Sequence, residues 1–445
     1  MSKNKIVATV VFLAGILCTA NGCDTVRPVS ETLETIPVVD TTAIVTTAVS
    51  AEAETVQTTV VTQSVAERIT SAATCTTAEA DMMLVETLLS EMTLEEKVCQ
   101  MFIVTPEMLT GYNGAVTETG TLSRESFDQY PVGGLIYFAE NLEDPPQVLE
   151  MLTGMQSYAQ ESSSIGVFLS VDEEGGTVAR VADKLDTNKL HDMAYYGERN
   201  DPDEAYAIGC TIGSDLKQFG FNLDFAPVAD IALHAENELG NRIFSSDPDV
   251  VGDMVAGVVS GLQGTGVSAT LKHFPGLGAG DGNTHYDDFV LIDRSFSELF
   301  SEEFTAFQAG INAGADFVMV GHQITTAAGD QLPSDLSHTV VTTWLKETLG
   351  FTGIVITDAQ NMSSITENYS PSSAAVQAVS AGVDMILMPL DLSNAVQGIC
   401  EAVEAQTITE EQINESVRKI LMQKSEMGLL QYKETETETE TTVTT

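Results

Sequence analysis

Basic residues are scarce in this chain: 19 lysines and arginines stand against 65 aspartates and glutamates, a formal net charge of −46 over 445 residues. A field of that sign repels nucleic acid and anionic lipid headgroups, so a polyanion-binding role is disfavoured. Cysteines lack pattern: downstream of Cys23 only Cys75, Cys99, Cys210 and Cys400 occur, far apart and without C-x-x-C spacing. They read as isolated thiols, most of them buried, and not as a disulfide framework. The apolar run from Ile6 to Ala20 is too short for a comfortable transmembrane helix. No G-x-G-x-x-G follows the first strand-like run, which counts against a dinucleotide fold. His273 and His285 lack zinc-like spacing with a third ligand, so neither a metal nor a cofactor is expected.

What is present begins with an export signal over residues 1–23: Lys3 and Lys5, the apolar run, then Gly22 directly before Cys23. The Gly-Cys step resembles the lipobox of bacterial lipoproteins, although Ala20 and Asn21 stand where a branched apolar and a small residue are usual. Lipidation of Cys23 is the expectation, with the protein at the cell surface and touching the membrane only through that anchor. Residues 24–80, rich in Thr, Val, Ser, Glu and Ala, suit a flexible linker, and the Glu-Thr repeats of 433–445 a solvated tail. Residues 81–432 remain for the folded domain, where 43% apolar content over the whole chain is enough for a sizeable core.

Within that domain Thr93 and Glu96 form a capping box that opens a helix and leads into the apolar run Met101 to Val104. Seven more runs follow, at 134–138, 167–171, 223–228, 269–273, 317–320, 353–357 and 385–388, with helical patterns between most of them. Gln147 to Tyr158, Ala205 to Gln218, Leu299 to Ala313 and Ser372 to Ala381 are examples. Eight alternations predict right-handed βαβ units closing into a (β/α)8 TIM-type barrel. Polar residues gather just after the runs: Asp172, Glu173 and Glu174, then Asp230, Lys272 with His273, His322, Asp358 and Asp391. In a barrel these positions converge on one rim, where such folds carry their sites.

The richest stretch is LKHFPGLGAGDGNTHYDD, from Leu271 to Asp288. Lys272 and His273 sit at a strand end, and the proline and glycines from Pro275 on forbid helix and mark a loop that ends on Thr284, His285 and Tyr286. A Gly-rich connection with incidental polar residues would share that composition. A rim of carboxylates beside a histidine-bearing loop fits glycoside hydrolysis, which needs a carboxylate nucleophile and a proton donor. Asp358, after the run GIVIT, is the nucleophile candidate; a helix N-cap is the alternative for the same aspartate.

MTLEEKVCQMF, GGLIYFAEN, SVDEEGGTVAR, FAPVADI, GNRIFSSDP, KHFPGLG with a histidine thirteen residues after its lysine, and GIVITDAQNM follow one another in this order. From Thr93 to about Gly428 the chain thereby resembles family 3 glycoside hydrolases, and within them the single-domain β-N-acetylglucosaminidases. The resemblance implies that Asp358 is the nucleophile and His285 the general acid/base. It also implies that Asp172, Arg180, Arg242, Lys272 and His273 bind the sugar. An amino-sugar glycoside from cell wall or chitin is the implied substrate, and a monomer is expected. Many relatives take a glutamate acid/base from a second domain, whereas here only a helix or two and the tail follow the eighth run. Three positions depart from the family pattern. Thr177 stands for an arginine, Leu277 for a histidine, and Asn283 for the aspartate that orients the catalytic histidine; Asp281 or Asp287 are substitutes for the last. β-Glucosidase-type activity on another sugar, or a sugar-binding lipoprotein without turnover, are the alternatives.

Overall fold

The computed structural model describes residues 77–284, 286, 287 and 289–431. The signal segment with Cys23, Cys75, most of the linker, the Glu-Thr tail and His285 lie outside the described residues.

Eight short parallel strands close into a barrel. They are β1 (Phe102–Val104), β2 (Gly134–Ile136), β3 (Phe168–Val171), β4 (Leu223–Asp224), β5 (Ser268–Phe274), β6 (Phe317–Val320), β7 (Ile354–Ala359) and β8 (Met385–Leu387). Each pairs with its neighbours in the chain, and β1 closes the ring on β8 through Phe102 opposite Ile386. Seven of the eight are buried along their whole length, which is why they read as apolar runs without alternation. β4 is shorter than its run predicts. Pro227 has no N–H to give the ladder, and the chain rejoins β5 only at the Val228–Lys272 bridge.

Helices alternate with the strands as expected. Pro145–Ser163, Pro202–Lys217 and Pro371–Ala381 match three of the predicted stretches, the one from Leu299 to Ala313 is broken at Glu302 into Phe296–Ser301 and Glu303–Asn312, and Pro248–Gly264 adds another helix. The last packs closely on Pro202–Lys217: a Cβ at Gly261 would collide with Tyr206 O, and one at Gly209 with Val258 O. The Thr93 capping box is present, with Thr93 N donating to Glu96 Oε2 at 2.7 Å. The first described helix, Thr77–Glu91, starts slightly before the expected domain boundary at 81 and buries Val85 and Leu89 in the core.

The barrel interior is filled from both ends. Phe168 and Phe317, on strands that are not neighbours, meet edge to face at 5.3 Å. Burying such a ring contributes about 1.5–3 kcal/mol. Lys424, fully buried on the helix Glu410–Glu426, closes the N-terminal mouth. Its Nζ lies 5.2 Å over the Phe168 ring and donates to Gln100 Oε1 at 2.7 Å. At the opposite mouth, Val228, Leu239, Ile243, Leu277, Val290 and Ile292 form a small second core beneath the Gly-rich loop.

Candidate active site

At the C-terminal mouth a cavity of about 400 Å³ is lined by Asp172, Glu174, Arg180, Arg242, Lys272 and Asp358, among others. Four different strand ends or following loops supply these six side chains, as a barrel rim allows.

The loop after β3 turns through a two-stranded hairpin, Glu173–Gly175 with Val178–Ala179. Gly175 and Gly176 take φ of 88° and 59°, a region closed to most side chains, and this is the physical reason for GG in SVDEEGGTVAR. Three adjacent acids are thereby sent in three directions. Asp172 lines the cavity and accepts from Lys272 Nζ at 2.8 Å. Glu173 turns away and accepts Val181 N and Ala182 N at 2.7 and 3.1 Å, and burial pushes its carboxyl up to about 7. Glu174 is buried between two cations, with Lys272 Nζ at 2.6 Å and Arg242 Nε and Nη2 each at 2.8 Å. Burial opposes its charge, but Lys272 and Arg242 outweigh burial and bring it to about 2. Lys272 is likewise held above the usual lysine range: burial works against it, and Asp172 and Glu174 overcome that.

β5 delivers Lys272 and His273 side by side. The fully buried Asp230 orients the second: Oδ2 accepts His273 N at 2.9 Å and faces His273 Nδ1 at 2.8 Å, while Oδ1 accepts Leu277 N at 2.5 Å. With Nδ1 bonded to the carboxylate, Nε2 is the nitrogen left for a ligand. Arg180 lies with its guanidinium 5.7 Å from the Phe138 ring, and its Nε is buried with no hydrogen-bond partner among the described residues. A donor in that state suits an incoming hydroxyl oxygen.

Asp358 stands at the end of β7, where the ladder to β8 shifts register between Ile356 and Ala359. Its Oδ1 accepts Ala359 N at 2.7 Å. Burial alone would raise this carboxyl. His322 and then His273, helped by that hydrogen bond and by Lys272, bring it below the ordinary carboxylate range. It thus presents a carboxylate held towards its charged form on the cavity wall, and the N-cap alternative fails because the next helix, Ser363–Thr366, follows Met362.

Of the other sequence candidates, Asp391 is not in the site; it caps the helix Leu392–Glu404 by accepting Asn394 N at 3.0 Å. His322 sits behind Asp358 and not on the cavity wall. Leu277 packs in the small second core and also lines the cavity, so this departure puts an apolar side chain on the cavity wall; Thr177 is exposed with its N–H on Asp192 Oδ1 and lies outside the lining. Asn283 does not line the cavity either. Its N–H donates to Asp287 Oδ2 at 2.7 Å, and its carbonyl accepts Tyr286 N and Asp287 N. The neighbouring Thr284 is clamped: Glu238 Oε1 accepts its N and Oγ1 at 3.1 and 3.0 Å, and Ser364 Oγ donates to its carbonyl at 2.8 Å. Glu174, Asp230 and Glu238 carry more of this geometry than sequence reasoning assigns them. The only signal for the first two is an acid just after a strand.

A closed barrel with a charged, sugar-sized cavity at its C-terminal rim defines a protein built to act on a small polar ligand. Comparison with known proteins sharpens this: residues 93–422 match the glycosyl hydrolase family 3 N terminal domain, and the chain belongs to that family. It is 32% identical over 296 residues to a beta-hexosaminidase of Nitrosomonas eutropha, covering 65% of this chain and 82% of that protein. Identity to beta-hexosaminidase A of Pseudoalteromonas piscicida is 28% over 331 residues, covering 68% of this chain; the chain spans just over half, 55%, of that relative. Among solved structures, a family 3 beta-N-acetylglucosaminidase from Paenibacillus superposes with a TM-score of 0.71 at 32% identity, over 79% of this chain and 66% of that one.

Proposed function

We propose that the protein is a retaining glycosidase that removes terminal non-reducing β-linked N-acetylhexosamine. The observation that carries this reading is the Asp358 carboxylate, held towards its charged form on the wall of a cavity whose polar groups include Asp172, Arg180, Arg242 and Lys272. Those groups offer a carboxylate acceptor and fixed cationic donors, the set that grips vicinal hydroxyls. In the first step Asp358 attacks the anomeric carbon, the glycosidic C–O bond breaks, and His285 gives its proton to the departing oxygen. In the second, His285 takes a proton from water, whose oxygen displaces Asp358 and releases the sugar with its configuration retained. Beta-hexosaminidase names among the relatives support the acetamido sugar.

The test is a panel of chromogenic N-acetylglucosaminide, glucoside and xyloside with purified protein, together with a 2-fluoro glycoside carrying a good leaving group. Turnover of the first and a fluoro-sugar ester on Asp358 are expected. Preference for the glucoside would move the reading to a β-glucosidase, binding without turnover would make it a sugar-binding protein, and product of inverted configuration would overturn the mechanism.

A further inference from the structure

His322 is fully buried at the end of β6, outside the cavity lining, and no step above uses it. Both of its ring nitrogens face oxygen. Nε2 lies 3.0 Å from the carbonyl oxygen of Ala359, which can only accept, so this nitrogen carries a proton. Nδ1 lies 3.1 Å from Asp335 Oδ1, off the line of a straight hydrogen bond, and neither atom has another partner among the described residues. Asp335 is fully buried too, and its Oδ2 faces Gln360 Nε2, a donor, at 3.5 Å. An unprotonated Nδ1 would set a lone pair against a carboxylate between two fully buried side chains, so a second proton belongs there.

Ala359 is the residue whose N–H holds Asp358 Oδ1, and its carbonyl also accepts Met362 N at 3.1 Å. Here β7 shifts its register with β8: Gln360 N still reaches Leu387 O at 2.9 Å, while the Ala359 carbonyl takes its bonds from His322 and a turn.

We propose that His322 is a positioning residue for the nucleophile: as a buried imidazolium paired with Asp335, it fixes Ala359, whose N–H holds Asp358, and places a positive charge behind that carboxylate. This rests on the reading of Asp358 as nucleophile. The other charged and titratable groups facing the pair are Lys272 and His273 from β5 on the Asp358 side, and Tyr369 on the Asp335 side.

Labelling by the 2-fluoro glycoside in the wild type tests the nucleophile itself; without a label on Asp358 the functional reading fails, whatever His322 does. With it in hand, His322→Gln keeps a donor for the Ala359 carbonyl and removes the charge. Its KM is expected to stay near that of the wild type. The acid limb of kcat/KM should move to higher pH, costing about tenfold in rate on that limb for each pH unit moved, and the fluoro-sugar ester should form more slowly. A folded variant with an unmoved acid limb and unchanged labelling rate overturns the proposal. Nitrogen-15 spectra of histidine-labelled wild type give a reading that needs no variant. Of the six histidines, one should remain doubly protonated at pH 8, with ring protons protected from solvent exchange. Six neutral rings at that pH would overturn it equally.

Discussion

Arg242 meets both carboxylate oxygens of Glu174, Nε to Oε2 and Nη2 to Oε1, each at 2.8 Å, across 68 residues of chain. Lys272 completes the cluster from β5 at 2.6 Å. Removing one partner of a buried ion pair costs about 3–5 kcal/mol, because the remaining charges lose their compensation. Glu174→Gln is therefore expected to lower the thermal midpoint markedly and to raise KM, since two cavity-lining cations lose their common anchor. The folded carboxyl lies at about 2, below its usual 4.5, so its stabilising effect is complete above pH 4.5 and lost as pH falls towards 2. Urea unfolding from pH 5 down to 2 should show that slope in the wild type, and a shallower one in the variant.

The His322–Asp335 pair has the opposite sign. Burial lowers His322, but Asp335, Asp358 and the Ala359 carbonyl raise it to about 9, above its usual 6.5. Its stabilising effect is complete below pH 6.5 and lost as pH rises through 9, a difference of roughly 3 kcal/mol. Asp335→Asn should flatten unfolding free energy between pH 6.5 and 9. A slope equal to the wild type's would show that another group titrates there.

Asn283 gives His285 no charge to lean on, and Asp287 is already engaged by the Asn283 N–H. If His285 is the proton donor, Asn283→Asp should move the alkaline limb of kcat/KM upward and speed substrates with poor leaving groups. Activated aryl glycosides should gain little. An unmoved limb, with His285→Ala still inactive, points to another acid beside the histidine.

Gly278, within the Gly-rich loop that follows His273, lies where a Cβ would collide with Ile231 O. Gly278→Ala should cost about 1–3 kcal/mol by overpacking and raise KM more than it lowers kcat. A KM equal to the wild type's would show that the loop absorbs the methyl without moving Lys272 or His273.

For the N-terminus, Gly22-Cys23 motivates a lipid anchor, so Cys23→Ala should release the protein from the membrane fraction or leave an unprocessed precursor. Wild-type protein found in the medium with its mature N-terminus elsewhere would refute the anchor.

Strand positions were legible because parallel strands buried on both faces must be apolar runs, and rim chemistry because polar residues end those runs. Pro248–Gly264 leaves a faint pattern, since its four glycines and apolar residues spread over most of its surface. Pairings across the rim are invisible in one dimension: nothing local to Glu174 names Arg242, and nothing near Asp230 names His273, 43 residues on. Asp391 looks like a rim acid in sequence, yet a β-to-α connection needs a cap as often as a catalyst. His322 was legible as a polar strand end, but its work depends on a register shift in β7 that no periodicity announces.

The helix that carries Lys424 into the N-terminal mouth has a further consequence. It binds the first described helix through Arg418 with Glu86 and Ser425 with Asp81, and Gln431 N then reaches Ser164 O just before β3. Both ends of the described chain therefore meet on the face opposite the cavity. A resin, electrode or display scaffold coupled beside Thr77 or Gln431 would hold the barrel with its cavity facing outward.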